Sequence, residues 1–165
     1  MFVWDANTGE LLWSHNEHNA LTIGIAFSPD STRLISGSWE NWVALVWDVS
    51  SGELLFELPA DQDVFNPAFS PDNRLVAVPT RAGTTTIWDV SGAEPIKLFE
   101  LNSPAAVISA AFSPNGDYLG TTHFDGTSAI WDFPASLETG SGQALLNLKL
   151  HTNIATSMDF SPDNR

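Results

Sequence analysis

The dipeptide Trp-Asp occurs four times, at Trp4-Asp5, Trp47-Asp48, Trp88-Asp89 and Trp131-Asp132, at intervals of 43, 41 and 43 residues. Between the copies runs a second series, Phe27-Ser-Pro-Asp30, Phe69-Ser-Pro-Asp72, Phe112-Ser-Pro-Asn115 and Phe160-Ser-Pro-Asp163, at intervals of 42, 43 and 48. A third element follows the first two tryptophans, as Thr8-Gly-Glu-Leu-Leu12 and Ser51-Gly-Glu-Leu-Leu55, with a looser copy at Ser91-Gly-Ala-Glu94. Interleaved motifs sharing one period define a repeat architecture and exclude most folds built on a single core.

Each period breaks into short apolar or alternating runs bounded by proline, glycine, asparagine and aspartate, the pattern of strands rather than helices. In one period these runs are Leu21 to Phe27, Arg33 to Ser38, Val43 to Trp47 and Glu53 to Leu58. Four strands joined by tight turns make one antiparallel sheet that cannot bury both faces alone. Stacking such sheets around an axis gives an all-β fold, a β-propeller of four-stranded blades. On these motifs the chain resembles the WD-repeat family of β-propellers along essentially its whole length. The resemblance implies that Trp-Asp ends strand c, that Phe-Ser-Pro-Asp closes strand a, and that each repeat supplies strand d of one blade before strands a to c of the next. Three complete blades are then expected near 20–58, 63–101 and 106–150, with a half blade over 1–14 and a lone strand over 154–160. A chain that starts at strand c and stops after strand a reads as a fragment of a longer propeller. The stretch Pro134 to Gln143, which lengthens one interval to 48, is expected to be a solvated c–d loop.

Charge and composition narrow the function. Twenty acidic against six basic side chains leave a net charge of −14. Six cations scattered from Arg33 to Arg165 form no stripe for phosphates, which argues against nucleic acid and for a neutral or basic partner. With no cysteine, thiol catalysis, disulfides and thiolate metal sites are excluded. No basic, apolar leader opens the chain and no apolar run is long enough to span a bilayer, so the sequence reads as soluble and cytoplasmic. His15, Glu17 and His18 invite a metal reading, but an i, i+3 pair outside a helix does not share a face; no metal or cofactor is expected. No nucleophile elbow, phosphate loop or zinc-protease helix occurs.

The resemblance also implies a structural hydrogen-bond tetrad in each blade: a histidine before strand a, a serine or threonine in strand b, an aspartate in the b–c turn and the strand c tryptophan. Here the histidine position holds His18, Ala60, Ser103 and His151, and the turn position holds Asn41, Ala82 and Asp125. The first blade comes closest, with His18, Ser36 or Ser38, Asn41 and Trp47; the third keeps Asp125 and Trp131; the second keeps Trp88 with Thr80 as its hydroxyl, and is expected to be the least rigid. In the family the d–a and b–c loops meet partners. The matching positions are Glu40, Arg81 and Phe124, with Trp39 and Trp42 beside the first and Phe65 in a d–a loop. The expected function is a non-catalytic protein-interaction scaffold of a signalling type, its partner a protein or peptide that can be tethered in the same full-length chain, as in the bacterial arrays the repeats resemble. The competing class is a propeller hydrolase or lyase with a central pocket, for which Asp63 and His123 are the candidates; His123 otherwise reads as a solvated loop residue.

Overall fold

The computed structural model describes residues 1–18, 20–149 and 151–164. Strands β1 (Phe2–Trp4) and β2 (Leu11–Ser14) form a hairpin. Three four-stranded antiparallel sheets follow, each a simple meander. The first holds β3 (Thr22–Phe27), β4 (Arg33–Ser38), β5 (Val43–Asp48) and β6 (Leu54–Pro59). In the second are β7 (Ala68–Phe69), β8 (Leu75–Pro79), β9 (Thr84–Asp89) and β10 (Ile96–Asn102). The third contains β11 (Val107–Phe112), β12 (Tyr118–His123), β13 (Thr127–Asp132) and β14 (Ala144–Lys149). These are propeller-type blades.

Strand alternation explains the stacking, because successive side chains point to opposite faces. Leu34, Leu45 and Trp47 of the first blade pack on Val3 and Trp13 of the leading hairpin. Ile35, Ala44, Val46 and Leu58 face the other way and meet Val64, Phe69, Val76, Val78 and Trp88 of the second blade. The second blade in turn presents Leu75, Ala77, Ile87, Phe99 and Leu101 to Ala110, Leu119, Ala129, Trp131 and Phe133 of the third. Each strand c tryptophan thus buries against the blade before its own. Close approach also depends on small residues: a Cβ on Gly37 would lie 2.5 Å from the Phe65 carbonyl oxygen.

The aspartates of Trp-Asp shape the c–d turns. Asp48 accepts from the backbone N–H groups of Ser50 and Ser51 and from both hydroxyls, which hold its carboxyl down at about 2. Asp5 does the same for Asn7 and Thr8, and Asp89 for Ser91. In the third blade Asp132 instead caps a helix, α1 (Phe133–Thr139), by accepting from the Ala135 N–H at 3.1 Å, with Gly140 at φ 66° ending it. The expected solvated loop over Pro134 to Gln143 is therefore corrected: an N-cap aspartate, proline in the first turn and a C-terminal glycine are complete helix punctuation, and Phe133 and Ser136 are buried.

The lone strand expected over 154–160 is likewise not a strand. That segment lies against the third blade, where Met158 and Phe160 approach Gly120, and among the described residues no strand pairs with it. The expected third blade and the whole-chain range end on Leu150 and Arg165, which lie outside the described residues. Among the described residues no helix is long and apolar enough to cross a membrane, which leaves strand-spanning untouched.

Candidate functional site

The d–a and b–c loops of successive blades converge on one side of the stack. Trp39, Phe65, Arg81, Ala106 and Phe124 line a concavity of about 360 Å³ there, drawn from all three blades. Asp63, only 4% exposed and outside the lining, ties two of the loops that frame it. One oxygen of this carboxylate accepts the Glu40 N–H at 2.9 Å and the other meets the Arg81 guanidinium at 3.4 Å. Arg81 also lies over the Trp39 ring at 5.9 Å, and Trp39 meets Phe65 edge-on with centroids 6.3 Å apart. Trp39 and Phe124 remain 40% and 57% exposed, a large apolar investment for a surface loop.

The b–c turn of the first blade is one residue longer than the others, and Glu40 and Trp42 take left-handed backbone with φ of 72° and 53°. Trp42 stands where Gly83 and Gly126 supply that conformation in the next two turns. Non-glycine residues in this region carry strain, and the Asp63 bond to the Glu40 amide offsets it. Glu40 and Trp42 themselves lie outside the concavity's lining, exposed beside it.

The tryptophan networks sit beneath these loops. In the first blade Trp47 Nε1 donates to Ser36 Oγ at 2.9 Å, and the same oxygen bonds His18 Nε2 at 2.8 Å. Ser36 rather than Ser38 is thus the hydroxyl member; Ser38 Oγ is buried and unpaired, and Asn41 is exposed in the turn. In the third blade Trp131 Nε1 donates to Thr121 Oγ1 at 3.1 Å, Thr121 bonds His123 Nε2 at 3.0 Å, and His123 Nδ1 bonds Thr127 Oγ1 at 2.8 Å. The Thr127 hydroxyl donates to Asp125 at 2.6 Å. A chain ending on a carboxylate fixes its own direction: Nδ1–H donates to Thr127, leaving Nε2 to accept from Thr121. Burial lowers the pKa of both His18 and His123, favouring the neutral imidazole each network requires.

His123 is therefore not a solvated loop residue, as expected, but a buried one, 1% exposed. It fills from the end of strand b the role that His18 fills from the d–a loop. The signal was present, because His123 follows Thr121 by two and a strand puts such residues on one face. In the second blade the register places Val78 where Ser36 and Thr121 stand, Thr80 bonds Thr84 instead, and Trp88 Nε1 is buried without a partner. His151 is exposed and joins none of these networks. His15 stacks on Trp47 at 4.9 Å and pairs with Glu17, and no cluster of three metal-binding side chains exists among the described residues.

A family model, WD domain, G-beta repeat, matches residues 9–48 and 94–132. The chain carries WD repeats. Each matched WD repeat covers a strand d and the following strands a to c, and each contains one intact Trp–hydroxyl–His network. The stretch between them, 49–93, is the one whose tryptophan lacks a hydroxyl partner. Among curated proteins, WD-repeat relatives include a periodic tryptophan protein 2 homolog of Neurospora crassa, 34% identical over 93 residues, 56% of this chain and 10% of that protein. The small ribosomal subunit protein RACK1y of rice (Oryza sativa subsp. japonica) is 32% identical over 88 residues, 53% of the chain and 26% of that protein. The human angio-associated migratory cell protein is 34% identical over 80 residues, 48% and 18%. The chain thus matches at most about a quarter of the length of these WD-repeat relatives.

Proposed function

We propose that this chain is a non-catalytic docking scaffold, part of a longer WD-repeat propeller, which receives a protein or peptide at the concavity between Trp39, Phe65, Arg81 and Phe124. The observation that carries this reading is convergence: three blades each contribute a large side chain to one depression, and the Asp63 carboxylate bonds Arg81 in its lining and the amide of Glu40 at its rim. Aromatic and arginine side chains around a concave centre are the usual anchors of protein interfaces. Glu40 and Trp42 flank the depression as its rim.

The two candidates for catalysis are committed elsewhere. Asp63 is held by the Glu40 amide and Arg81, and both nitrogens of His123 are bonded to threonines. The scaffold reading agrees with the WD repeats the chain carries, and a partner tethered in the same full-length protein suits it as well as a free one. Membership of a longer ring is supported by Phe2, Trp4, Leu11 and Leu12, which the leading hairpin leaves exposed and which a further blade would cover.

The test is capture of partners by the full-length protein carrying Trp39→Ala and Phe124→Ala together. The expected result is loss of the captured species with an unchanged circular dichroism spectrum. Undiminished capture by a folded double variant would show that partners dock elsewhere.

A further inference from the structure

The repeat fills one inter-blade cleft from within and leaves the next one open. Between the first and second blades, on the side of the a–b turns, Arg33 crosses the gap. Its guanidinium lies over the Phe69 ring at 5.4 Å and donates to the Val90 carbonyl at 2.8 Å and to the Asn73 carbonyl. Asn73, in left-handed backbone at φ 63°, closes the same gap by accepting the Asp30 N–H at 3.0 Å. Asn164, also left-handed, accepts the Asn115 N–H in the same way at 2.8 Å.

Between the second and third blades both closing residues are replaced. Ladder register puts Leu75 at the position of Arg33 and Phe112 at that of Phe69. Gly116 follows Asn115 where Asn73 follows Asp72, and it has no side chain to receive the Asp72 N–H. A cleft of about 340 Å³ results, walled on its far side by α1, which among the described residues only this blade possesses. Its charged lining residues are Asp72, Arg74 and Asp117. Arg74 is already bound to Asp89, through Nε at 2.9 Å and a terminal nitrogen at 2.8 Å. Asp72 accepts from the Ser70 hydroxyl and the Arg74 N–H through Oδ1, and Asp117 accepts from Asn115 Nδ2 through Oδ2, so each keeps a second oxygen in a cleft that Phe112 also lines, in a chain of net charge −14.

We propose that this cleft binds an arginine side chain of a partner peptide. The guanidinium takes the place that Arg33 holds one junction earlier, against the Phe112 ring and the Gly116 carbonyl, with Asp72 and Asp117 balancing its charge. A planar guanidinium suits this setting because it stacks on a ring while donating in its plane, which an ammonium does not do. The Asp72 N–H is available to the peptide's own carbonyl. This site lies on the opposite side of the stack from the loop concavity and is independent of it.

The test uses the full chain and a dye-labelled, capped pentapeptide with one arginine between glycines, followed by fluorescence anisotropy. Saturable binding is expected, with the lysine and citrulline peptides weaker by about tenfold or more. Gly116→Asn restores the residue that closes the other junctions, in a backbone conformation asparagine accepts, and has open space for its side chain. By taking the Asp72 N–H away from the peptide carbonyl it should lower arginine affinity about threefold without lowering the thermal midpoint, while Asp72→Asn and Asp117→Asn together, which remove both lining carboxylates' charge, should lower it about tenfold. Equal binding of arginine and lysine peptides would mean general attraction to an acidic surface and overturn the proposal. So would unchanged binding by a folded Asp72→Asn, Asp117→Asn double variant, or no saturable binding at all.

Discussion

The first and third blades secure their strand c tryptophans internally, whereas the middle blade does not. Trp47 and Trp131 each donate to a hydroxyl that is itself bonded to a buried histidine, while Trp88 keeps an unpaired N–H in an equally dry place. The middle blade is tied outward instead. Its inner strand is interrupted at Asn66, whose N–H and side-chain amide both donate to the Ile108 carbonyl of the third blade, at 3.1 and 3.0 Å. The Asn66 carbonyl receives the Ala110 N–H, so a short parallel pairing joins the two inner strands. This difference teaches that a repeat with neighbours on both faces can lose its internal network, and its loops are then open to other uses. Asp63, Phe65 and Arg81, the centre of the concavity, all belong to that blade.

The contrast can be broken most forcefully at Ser36. Ser36→Ala strands both Trp47 Nε1 and His18 Nε2 in a dry interior, and we expect a loss of about 2–3 kcal/mol in urea unfolding. Thr121→Val should cost about 2 kcal/mol by the same reasoning, with His123 left partly satisfied by Thr127. Asn66→Ala removes the side-chain tie between blades and is expected to cost about 1 kcal/mol. The smallest effect should have the opposite sign: Val78→Thr offers Trp88 the hydroxyl it lacks and is expected to be neutral or to stabilise by up to about 1 kcal/mol. If Val78→Thr destabilises as much as Ser36→Ala, the equivalence of the three tryptophan sites is wrong.

A pH series sharpens the same contrast. His18 and His123 have lowered pKa values in the folded chain because burial disfavours the cation, so the unfolded chain binds protons first as pH falls. Stability present above the ordinary histidine pKa is therefore lost as pH drops through about 6.5 and on toward the folded values. The turn aspartates, Asp48 and Asp125 among them, are shifted down and withdraw their contribution only at much lower pH. Between pH 7 and 5 the decline in urea midpoint should thus belong to the histidines, and it should shrink in a His18→Asn, His123→Asn double variant.

Much of this architecture is legible in the sequence, because Trp-Asp and Phe-Ser-Pro-Asp mark strand ends chemically and strand alternation follows. The loop face was legible as positions, since b–c turn residues can be counted from each tryptophan. What escaped were the partners of Asp63, the place of His123 and the helix that follows Trp131-Asp132. Asp63 stood out as an acidic residue, but its task of holding Glu40 and Arg81 comes from two other turns. His123 was misplaced because counting from the motif pointed to Ser103 instead. Helix α1 was passed over because a seven-residue helix shows too little periodicity, although its caps were in plain view.

The sequence alone makes the middle blade the least rigid, whereas the structure shows it buried between two neighbours and bonded to one. Hydrogen–deuterium exchange of the full-length protein, read by mass spectrometry on peptides covering β4–β5, β8–β9 and β12–β13, decides between these directly. The account predicts that β8–β9 exchanges no faster than the other two pairs. Exchange of β8–β9 well ahead of both would contradict it and return the tryptophan network to the place of principal support.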